Sequence, residues 1–575
     1  MTKKLAGAFL LYLALAVLLT WPLARNAQSH AINAGDPLFY AWNLMHNFYS
    51  ITRGFENLLS ANIFYPNTNT LALSDTLAVQ TVIAYPVIWL TRNPLLAVNL
   101  YTLLTFPVAG LGMYILIYSL VNNAWSGLIG GAMFAFSMTR FGQLSHIPAL
   151  SSQWLPYFFY GLYWFLRNGK LRHAVAAGIS FILLLGSSVY LGVFAVIIGI
   201  IMMGIFSASW VKNKCFSSVI RGRMKIALIP VIMTSALSVI LMYPYILLKA
   251  EHPEITRFLG ESSARAAYQK DYYSVTKTSV ISRILPSNEG ERALYPTVAL
   301  LFLAGLGTGL WKNKLYRLPI LLSGCVAITG LVLSFGPQRP FSIGSLDTGY
   351  VTLPYAYLYY LFPLLQILRV PARFSIIFIL GLCILSGYGV ARITAQKKWI
   401  LMILGIMLLF FIEIWQYPIT LISIPSYNKP PLVYQWIKQQ ENIRALIELP
   451  IGSIEEGFLP IDQQVSLSYE RLTADTPLAL ETYRTYFAAY HDKKTVNGYS
   501  GYVTNSFHSA VNAMKSFPDS SSIRYLRDEG VTHIIVHLWQ LPKEKRNQYM
   551  ITQQNRDLKT AFQTIDGDIV YEIIP

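Results

Sequence analysis

Apolar residues occur in separated runs of roughly 15–25 along the first 417 residues, close to the length that a helix needs to cross a bilayer core. Polar stretches divide these runs. The pattern predicts about eleven transmembrane helices, at 6–24, 95–121, 126–140, 153–167, 173–187, 190–209, 226–248, 295–311, 318–335, 374–393 and 399–417. The predicted fold class is therefore an all-α polytopic membrane domain, followed by a different C-terminal region.

One shorter apolar segment, at residues 79–92, does not fit this series. Its apolar run is about 12 residues long and contains Pro86, so we expect a re-entrant or interfacial segment rather than a crossing. With the N-terminus inside, the basic clusters at 167–172, 212–225, 312–317 and 392–398 then fall in inner loops, as the positive-inside rule requires. We expect a protein of the inner (plasma) membrane with a cytoplasmic N-terminus.

The same topology predicts two domains. Residues 1–417 form the membrane domain, with outer loops at 25–94 (containing interfacial helices), 249–294 and 336–374. Residues 418–575 alternate β-rich apolar runs, such as ALIEL and VTHIIVHL, with helical patterns, which predicts a soluble α/β domain on the extracytoplasmic side. Residues 1–24 also fit a cleaved signal peptide, but an uncleaved first span is favoured because a long membrane domain follows.

Composition and charge support a membrane protein. Hydrophobic residues make up 54% of the chain and charged residues 13%, whereas soluble proteins average about 25% charged. The net charge of +17 belongs to the first 417 residues, which carry 30 Lys and Arg against 11 Asp and Glu. These basic residues punctuate apolar runs instead of lining one face, so nucleic acid is not expected as a partner. The three cysteines predict neither a disulfide nor a metal site.

Asp36 is the best-placed outer carboxylate for catalysis, in the run AGDPLFYAWNL after the first span. Its Asp-Pro step also fits an N-cap followed by a first-turn proline, so a purely structural role at the start of an interfacial helix is the alternative. Asn43 and His46 would lie on the polar stripe of that helix and are candidate substrate ligands. The opposite face would contact lipid through Leu38, Trp42, Met45 and Tyr49.

Further candidates lie in later outer segments. His146 and Gln153, in FGQLSHIPALSSQW, could orient a substrate, although an ordinary surface histidine is the alternative. Arg369 and Arg373 flank a proline in LRVPARF. Such a pair suits phosphate or pyrophosphate, because arginine binds phosphate bidentately, and the alternative is snorkelling to lipid headgroups. The spacing of His, Asp and Glu does not resemble a zinc site, so no metal ligand is predicted.

The tail contains the run NGYSGY at 497–502, shortly after an aromatic stretch. Aromatic faces beside small turns are found at sugar-binding surfaces and equally in ordinary packing, and both interpretations stay open. The aromatic residues concerned are Tyr483, Tyr486, Phe487, Tyr490 and His491.

The runs AGDPLFYAWNL, GQLSHIPALSSQWLP, LRVPARF, NGYSGY and GVTHIIVH resemble the GT-C superfamily of integral membrane glycosyltransferases, and most of all its bacterial YfhO-type and related members. The resemblance implies a polyprenyl-phosphate or polyprenyl-pyrophosphate sugar donor, used at the outer face. Asp36 matches the first-loop catalytic base of that superfamily. Some members have paired acids there, whereas Asp36 stands between Gly35 and Pro37, so no cofactor is certain and a divalent metal stays open.

The implied reaction is inverting sugar transfer to a glycan, lipid or protein acceptor of the cell envelope. Asp36 would deprotonate the acceptor hydroxyl, Arg369 or Arg373 would stabilise the leaving phosphate, and His146 or Gln153 would orient the sugar. One alternative is a transporter or flippase of lipid-linked glycans, which predicts mid-span charges and paired repeats that the sequence hardly shows. The other is a non-catalytic scaffold of envelope assembly with the same fold.

Overall fold

The predominantly helical character expected from the apolar runs is present in the computed structural model of the chain. It describes residues 2–253, 255–288, 290–343, 346–396, 399–416, 418–452, 466–467, 472–473, 477–541, 543–550 and 556–575. Lys397 and Lys398, which the sequence assigns to the last inner loop, lie outside the described residues.

The α-helices follow one another along the chain with short connections. In order they are α1 Thr2–Leu19, α2 Leu23–Asn26, α3 Asp36–Thr52, α4 Ala78–Thr91, α5 Pro94–Val121, α6 Ala124–Ala135, α7 Met138–Phe141, α8 Ile147–Leu150, α9 Leu155–Asn168, α10 Leu171–Ser187, α11 Val189–Lys212, α12 Phe216–Glu251, α13 Leu259–Ala264, α14 Val298–Thr308, α15 Lys314–Ser334, α16 Pro354–Leu361, α17 Ser375–Thr394, α18 Trp399–Ile414, α19 Leu432–Gln439, α20 Pro477–His491, α21 Asn505–Met514, α22 Ser520–Asp528 and α23 Lys543–Tyr549.

Most strands are short pairs, and the longer ones concentrate towards the C-terminus. They are β1 His30–Ala31, β2 Val275–Thr276, β3 Ser287–Asn288, β4 Gln338–Ile343, β5 Leu346–Thr352, β6 Ile422–Ser423, β7 Ala445–Leu449, β8 Ser466–Leu467, β9 Leu472–Thr473, β10 Lys494–Thr495, β11 His533–His537, β12 Leu558–Gln563 and β13 Asp568–Ile573. Short 3-10 turns, among them Ser151–Trp154, Gly290–Arg292 and Pro371–Phe374, link several helices.

Each of the eleven predicted spans contains an α-helix. Among the described residues, five helical segments are long and apolar enough to cross a membrane: α5, α11, α12, α15 and Pro371–Thr394. Shorter apolar helices include α4, α10 and α18. Segment 79–92 is thus helical, as α4. That this helix does not cross the membrane stays a prediction, and so does the total of eleven crossings.

The chain divides into two units by its internal contacts. The first unit comprises 1–24, 102–242 and 256–419, and the second comprises 25–101, 243–255 and 420–575. This division is based on contacts within the structure, whereas the predicted domains 1–417 and 418–575 were divided where the last predicted transmembrane helix ends. The predicted domain boundary therefore stays a prediction.

The segment Pro371–Thr394, which contains α17, is the most buried of the five long apolar segments, and glycines let neighbouring helices approach it closely. A methyl group added at Gly389 of α17 would overlap the carbonyl oxygen of Leu303 in α14. One added at Gly307 of α14 would overlap the Leu385 carbonyl of α17. Small residues permit such backbone contact between membrane helices, where van der Waals packing drives association. The helix held by this packing, α17, directly follows LRVPARF.

The second unit contains a five-stranded mixed sheet with the order β10-β7-β11-β13-β12. Strands β10, β7 and β11 are parallel, and β13 and β12 complete the sheet in antiparallel fashion. All residues of β7 and β11 are buried, as near-continuous apolar strands in the middle of a covered sheet should be. The loop that precedes α4, together with α3, belongs to this unit.

Candidate functional site

Asp36 is the first residue of α3, and two phenols hold its carboxylate. Tyr499 donates to Oδ1 at 2.5 Å and Tyr40 donates to Oδ2 at 3.1 Å. The N-cap position is Gly35, so the interpretation of Asp36 as the N-cap is wrong. An acid in the first helical turn still favours the helix, through its macrodipole. The carboxylate is half-buried, oriented from two sides, and of the type that a general base requires.

Helix α3 is buried on nearly all sides, which corrects its predicted amphipathic arrangement. Leu38, Trp42 and Met45, which we expected to face lipid, are fully buried. The indole of Trp42 donates to Asn62 at 3.1 Å. The physical reason is that the rest of the loop and helix α20 of the same unit cover the helix, a tertiary effect that periodicity alone does not reveal.

Asn43 and His46 are buried on α3 and hold the loop that follows it. Asn43 donates to the Asp75 carbonyl at 3.3 Å. The His46 ring lies 3.2 Å from the Leu58 carbonyl and stacks on Trp42. Burial lowers the pKa of His46, so its ring is neutral and Nε2 donates to that carbonyl. Both residues have structural hydrogen bonds, and their predicted role as substrate ligands stays a prediction.

Arg373 and His146, both in the first unit, meet at Glu291. Arg373 donates through Nε and Nη2 to Glu291 Oε1, with the Nε bond at 2.8 Å, and His146 Nε2 lies 3.9 Å from the same oxygen. Burial opposes ionisation of Glu291, but Arg373 and His146 outweigh it and lower the pKa of this carboxyl. The Arg373 side chain is only 14% exposed, so it does not extend to the surface as a snorkelling arginine would.

Arg369 belongs to the same group of charges. Its Nε lies 3.8 Å from Glu261, which also accepts from Arg257 at 2.8 Å. Arg265 lies within electrostatic range of Arg369 and of both glutamates. We call Arg257, Arg265, Arg369 and Arg373 the arginine cluster. Four guanidiniums around two carboxylates leave an excess of positive charge, which suits a phosphate.

A hydroxyl group fixes the backbone of this cluster. Tyr190 OH, from α11, accepts from the backbone amides of Arg369 and Val370 at 2.5 and 3.0 Å, and the Arg373 guanidinium lies over the Tyr190 ring at 4.7 Å. A small cavity of about 20 Å³ adjoins Arg373 and is also lined by Arg140 and Gln143. Gln153 is buried in the turn Ser151–Trp154 and does not line this cavity.

Arg140 is a fully buried cation solvated mainly by backbone. It donates to the carbonyls of Ala135, Leu150 and Thr105 at 3.1, 2.9 and 3.2 Å, and to Ser152 at 2.6 Å. These bonds tie the segment containing His146 to α5. Arg140 therefore positions the loop, and its charge adds to the positive potential beside the cavity.

A large apolar groove lies in the first unit among α10, α11, α12, α15 and α16. Its volume is about 950 Å³. Two of its lining residues are close in sequence to Tyr190 or to the arginine cluster. Val189 directly precedes Tyr190, and Leu365 lies four positions before Arg369. The groove therefore extends towards the arginine cluster. An apolar groove beside a cationic group has the chemistry of a site for a lipid with a phosphate headgroup.

The tail encloses a charged network in its core. His537 lies between Asp568 and Glu448, with nitrogen–oxygen distances of 2.8 and 2.9 Å. Arg484 pairs with Glu481 at 2.7 Å. All five side chains are buried. Among the described residues, no group of three or more His, Cys, Asp and Glu has the arrangement of a metal site.

The aromatic stretch of the tail packs in the core. Tyr483, Tyr486 and Phe487 are buried, and Tyr434 stacks on Phe487 at 4.8 Å. The packing interpretation is therefore favoured for these rings over a sugar-binding surface. Tyr499 of NGYSGY has a different role, because it binds Asp36.

Sequence reasoning missed Glu261, Glu291, Arg257 and Arg265. They come from polar loops that precede α14, more than 75 positions from Arg369 and Arg373. An acidic residue in an outer loop was the only available signal, and it does not identify a partner. Tyr499 was missed as a partner of Asp36 for the same reason, since 463 positions separate them.

The sequence matches no protein-family model and no curated protein. A likeness appears at the level of structure, to ArnT from Cupriavidus metallidurans bound to undecaprenyl phosphate. The match has a TM-score of 0.50 at 10% sequence identity and covers 99% of this chain and 98% of that chain. The chain therefore shares its overall fold with this ArnT over nearly the whole of both chains. Its assignment to the GT-C superfamily, and to the YfhO-type members of that superfamily, stays a prediction.

Proposed function

We propose that the chain is a membrane glycosyltransferase. It takes a sugar from a polyprenyl-phosphate or polyprenyl-pyrophosphate donor and transfers it to a glycan, lipid or protein acceptor at the outer face of the inner membrane. The observation that carries the proposal is the apolar groove extending towards the arginine cluster. The shared fold supports it, since the structural neighbour ArnT was solved with undecaprenyl phosphate bound.

The donor site is assigned to the first unit. The prenyl chain occupies the apolar groove, and the phosphate binds Arg369 and Arg373, whose fixed charge suits a low-dielectric boundary. His146, beside Glu291, and Gln153 are assigned to orientation of the sugar, as the sequence suggested. No step in this assignment requires a metal ion, although a divalent metal stays open as a cofactor.

The base is assigned to Asp36. The acceptor hydroxyl oxygen attacks the anomeric carbon while Asp36 takes its proton. The bond between the anomeric carbon and the phosphate oxygen breaks, and the lipid phosphate leaves with the electron pair. Attack opposite the leaving group inverts the anomeric configuration. General-base assistance contributes typically about 10²–10⁴-fold to such a step.

The test uses full-length protein in lipid nanodiscs with radiolabelled polyprenyl-phosphate sugars and a lysate of envelope acceptors. We expect wild-type protein to transfer sugar and Asp36→Asn to lose about 10²–10⁴-fold in rate. Asp566→Asn, an exposed turn residue, is the matched control and should keep full activity.

The outcomes separate the alternatives. Wild-type protein that moves a lipid-linked sugar across the bilayer without transferring it would support a flippase and overturn the proposal. Retained transfer in Asp36→Asn would remove only the base assignment. Donor binding that survives Arg369→Gln and Arg373→Gln would remove the phosphate assignment.

A further inference from the structure

The second unit contains a polar cavity that the proposed function does not use. Its volume is about 200 Å³. It is lined from the end of α3, from the loop that follows, and from the tail beyond α20. The lining residues used in the argument are Tyr49, Arg53, Glu56, Asn57, Tyr65, Asp492 and Lys494.

The walls of this cavity are fixed before any ligand binds. The amide of Tyr65 donates to the Thr495 carbonyl at 2.9 Å, and Thr495 donates to the Asn62 carbonyl at 2.8 Å. The Asn62 side chain donates to the Ala488 carbonyl at 2.8 Å. The loop is therefore attached to the tail by backbone pairing. A preformed wall binds ligand without the entropic cost of ordering.

The backbone of the wall adopts conformations that non-glycine residues rarely take. Phe55, Asn57 and Phe64 have φ angles of 68°, 53° and 57°. Such residues cost free energy and persist where the surroundings hold them, typically beside ligand sites. The loop is thus shaped at some expense to stability around this cavity.

The charges that line the cavity balance. Arg53 pairs with Asp492 at 2.6 Å with both side chains partly exposed at the surface, and Lys494 lies over the Tyr65 ring at 5.7 Å. Glu56 supplies the second carboxylate. Two cations against two carboxylates disfavour a phosphate or another polyanion. The polar walls disfavour a prenyl or acyl chain.

The chemistry that remains is that of a neutral sugar. Asn57 and the paired charges offer both donors and acceptors to hydroxyl groups. The rings of Tyr49 and Tyr65 also line the cavity, with Arg53 over one face of the first at 5.2 Å and Lys494 over one face of the second at 5.7 Å. Aromatic faces have a negative quadrupole, against which the C–H surface of a sugar packs. His46 and Asp36 are ten residues apart on α3, so the cavity lies about 15 Å along the helix from the proposed base.

We propose that this cavity is a subsite for neutral oligosaccharide, which holds sugar units of a glycan acceptor remote from the reacting hydroxyl. The identification of the occupant as acceptor rests on the proposed function, whereas binding of neutral glycan at the cavity does not. The subsite narrows the acceptor from glycan, lipid or protein to a glycan longer than one or two sugars.

The test is titration calorimetry on the purified full chain without donor, using maltohexaose, chitohexaose and an anionic hyaluronan hexasaccharide. We expect at least one neutral hexasaccharide to bind, more tightly than the anionic one. Asn57→Gly removes a side-chain amide from the cavity while allowing the backbone to keep its positive φ angle. Asp492→Asn removes a charge while preserving the shape of the side chain. Each variant should weaken binding about tenfold, equivalent to about 1.4 kcal/mol. The matched controls are Asn122→Gly, at another positive-φ asparagine, and the exposed Asp528→Asn.

Two results overturn the inference: neither neutral hexasaccharide binds, or both cavity variants bind as tightly as wild type. Tighter binding of the anionic sugar overturns the neutral class. A chain that binds neutral glycan at the cavity yet transfers no sugar keeps the subsite and loses the proposed transferase function. The two proposals therefore fail separately.

Discussion

The surroundings of Asp36 can be predicted only in part from the sequence. Its position after the first span and its Asp-Pro step are visible in the sequence, and they identify a candidate base and the start of a helix. The partner Tyr499 is not visible, because 463 residues lie between the two. A carboxylate that accepts from a phenol on each oxygen is restricted in orientation, which matters for proton transfer over hydrogen-bond distances.

Tyr499→Phe should therefore lower the turnover number of sugar transfer about tenfold, because a hydrogen bond to a charged group contributes about 1.5–3 kcal/mol. Steady-state kinetics measure the effect. Tyr525→Phe, in α22, is the control, and an unchanged turnover number in Tyr499→Phe would remove the positioning role.

Helices were predictable from the sequence where a single apolar run or a capping residue marks them. Apolar runs identified a helix in every proposed span, and Asp519 caps α22 by accepting from Ser522 at 2.8 Å. Helix α20 has no amphipathic pattern in the sequence, because its described faces are nearly all buried. Strand β12 has no regular alternation, because a bulge between Thr560 and Phe562 interrupts it.

Close contact between α14 and α17 gives a prediction at this scale. Gly389→Ala should destabilise the detergent-solubilised protein by about 1–3 kcal/mol, the usual cost of overpacking, because the new methyl group overlaps the Leu303 carbonyl. Gly405→Ala in α18 meets no atom within 4 Å and should be neutral. Thermal unfolding in the same detergent compares them, and equal midpoints would contradict the close approach.

The pairing of β11 with β13 brings buried charges together. Their register sets His537 opposite Asp568, and Glu448 of β7 accepts on the other side of the ring. Burial lowers the pKa of His537, but Asp568 and Glu448 outweigh burial and raise it above its usual value. The imidazolium is the form that this sheet stabilises.

A histidine whose pKa is raised by folding stabilises the folded state fully at pH values below its pKa in the unfolded chain, about 6.5. This stabilisation is lost as the pH rises through the pKa of the histidine in the folded state. The melting temperature of the tail should therefore fall by a few degrees as pH increases above about 6.5, because about 1 kcal/mol corresponds to about 2–4 °C. His537→Gln should remove that decline, measured by hydrogen exchange of β11 or calorimetry. His533→Gln on the same strand should retain it, and a pH-independent wild type would exclude the effect.

At the scale of the whole molecule, the predicted orientation in the membrane depends on the number of crossings. The eleven crossings predicted from the sequence would place the C-terminus outside, provided that α4 does not cross. Alkaline phosphatase fused after residue 575 should be active in cells, whereas a green fluorescent protein fused there after Sec export should be dark. Fusions after Asn213, in a basic loop, should behave oppositely. Inactive phosphatase at residue 575 would show that α4 crosses.

The fold was largely accessible from sequence because hydrophobic length and charge placement follow from the bilayer itself. The candidate sites were accessible only in part. Arg369 and Arg373 share one short motif, whereas Glu261 and Glu291 reach them from distant loops. The lining of the polar cavity likewise combines residues near 50–68 with residues beyond 490. Such combinations depend on tertiary packing, which cannot be predicted from the spacing of residues along the chain.

The bond between Arg373 and Glu291 has a consequence for which anions the membrane unit accepts. Glu291 is a tethered anion that stays ionised, so an incoming anion must compete with it for the guanidinium. Singly charged, weakly coordinating ions such as chloride lose this competition against a carboxylate at effectively high local concentration. A phosphate, with more charge and more acceptor oxygens, is better equipped to win it. At the proposed phosphate site, this internal carboxylate would therefore favour phosphate over the chloride of the medium.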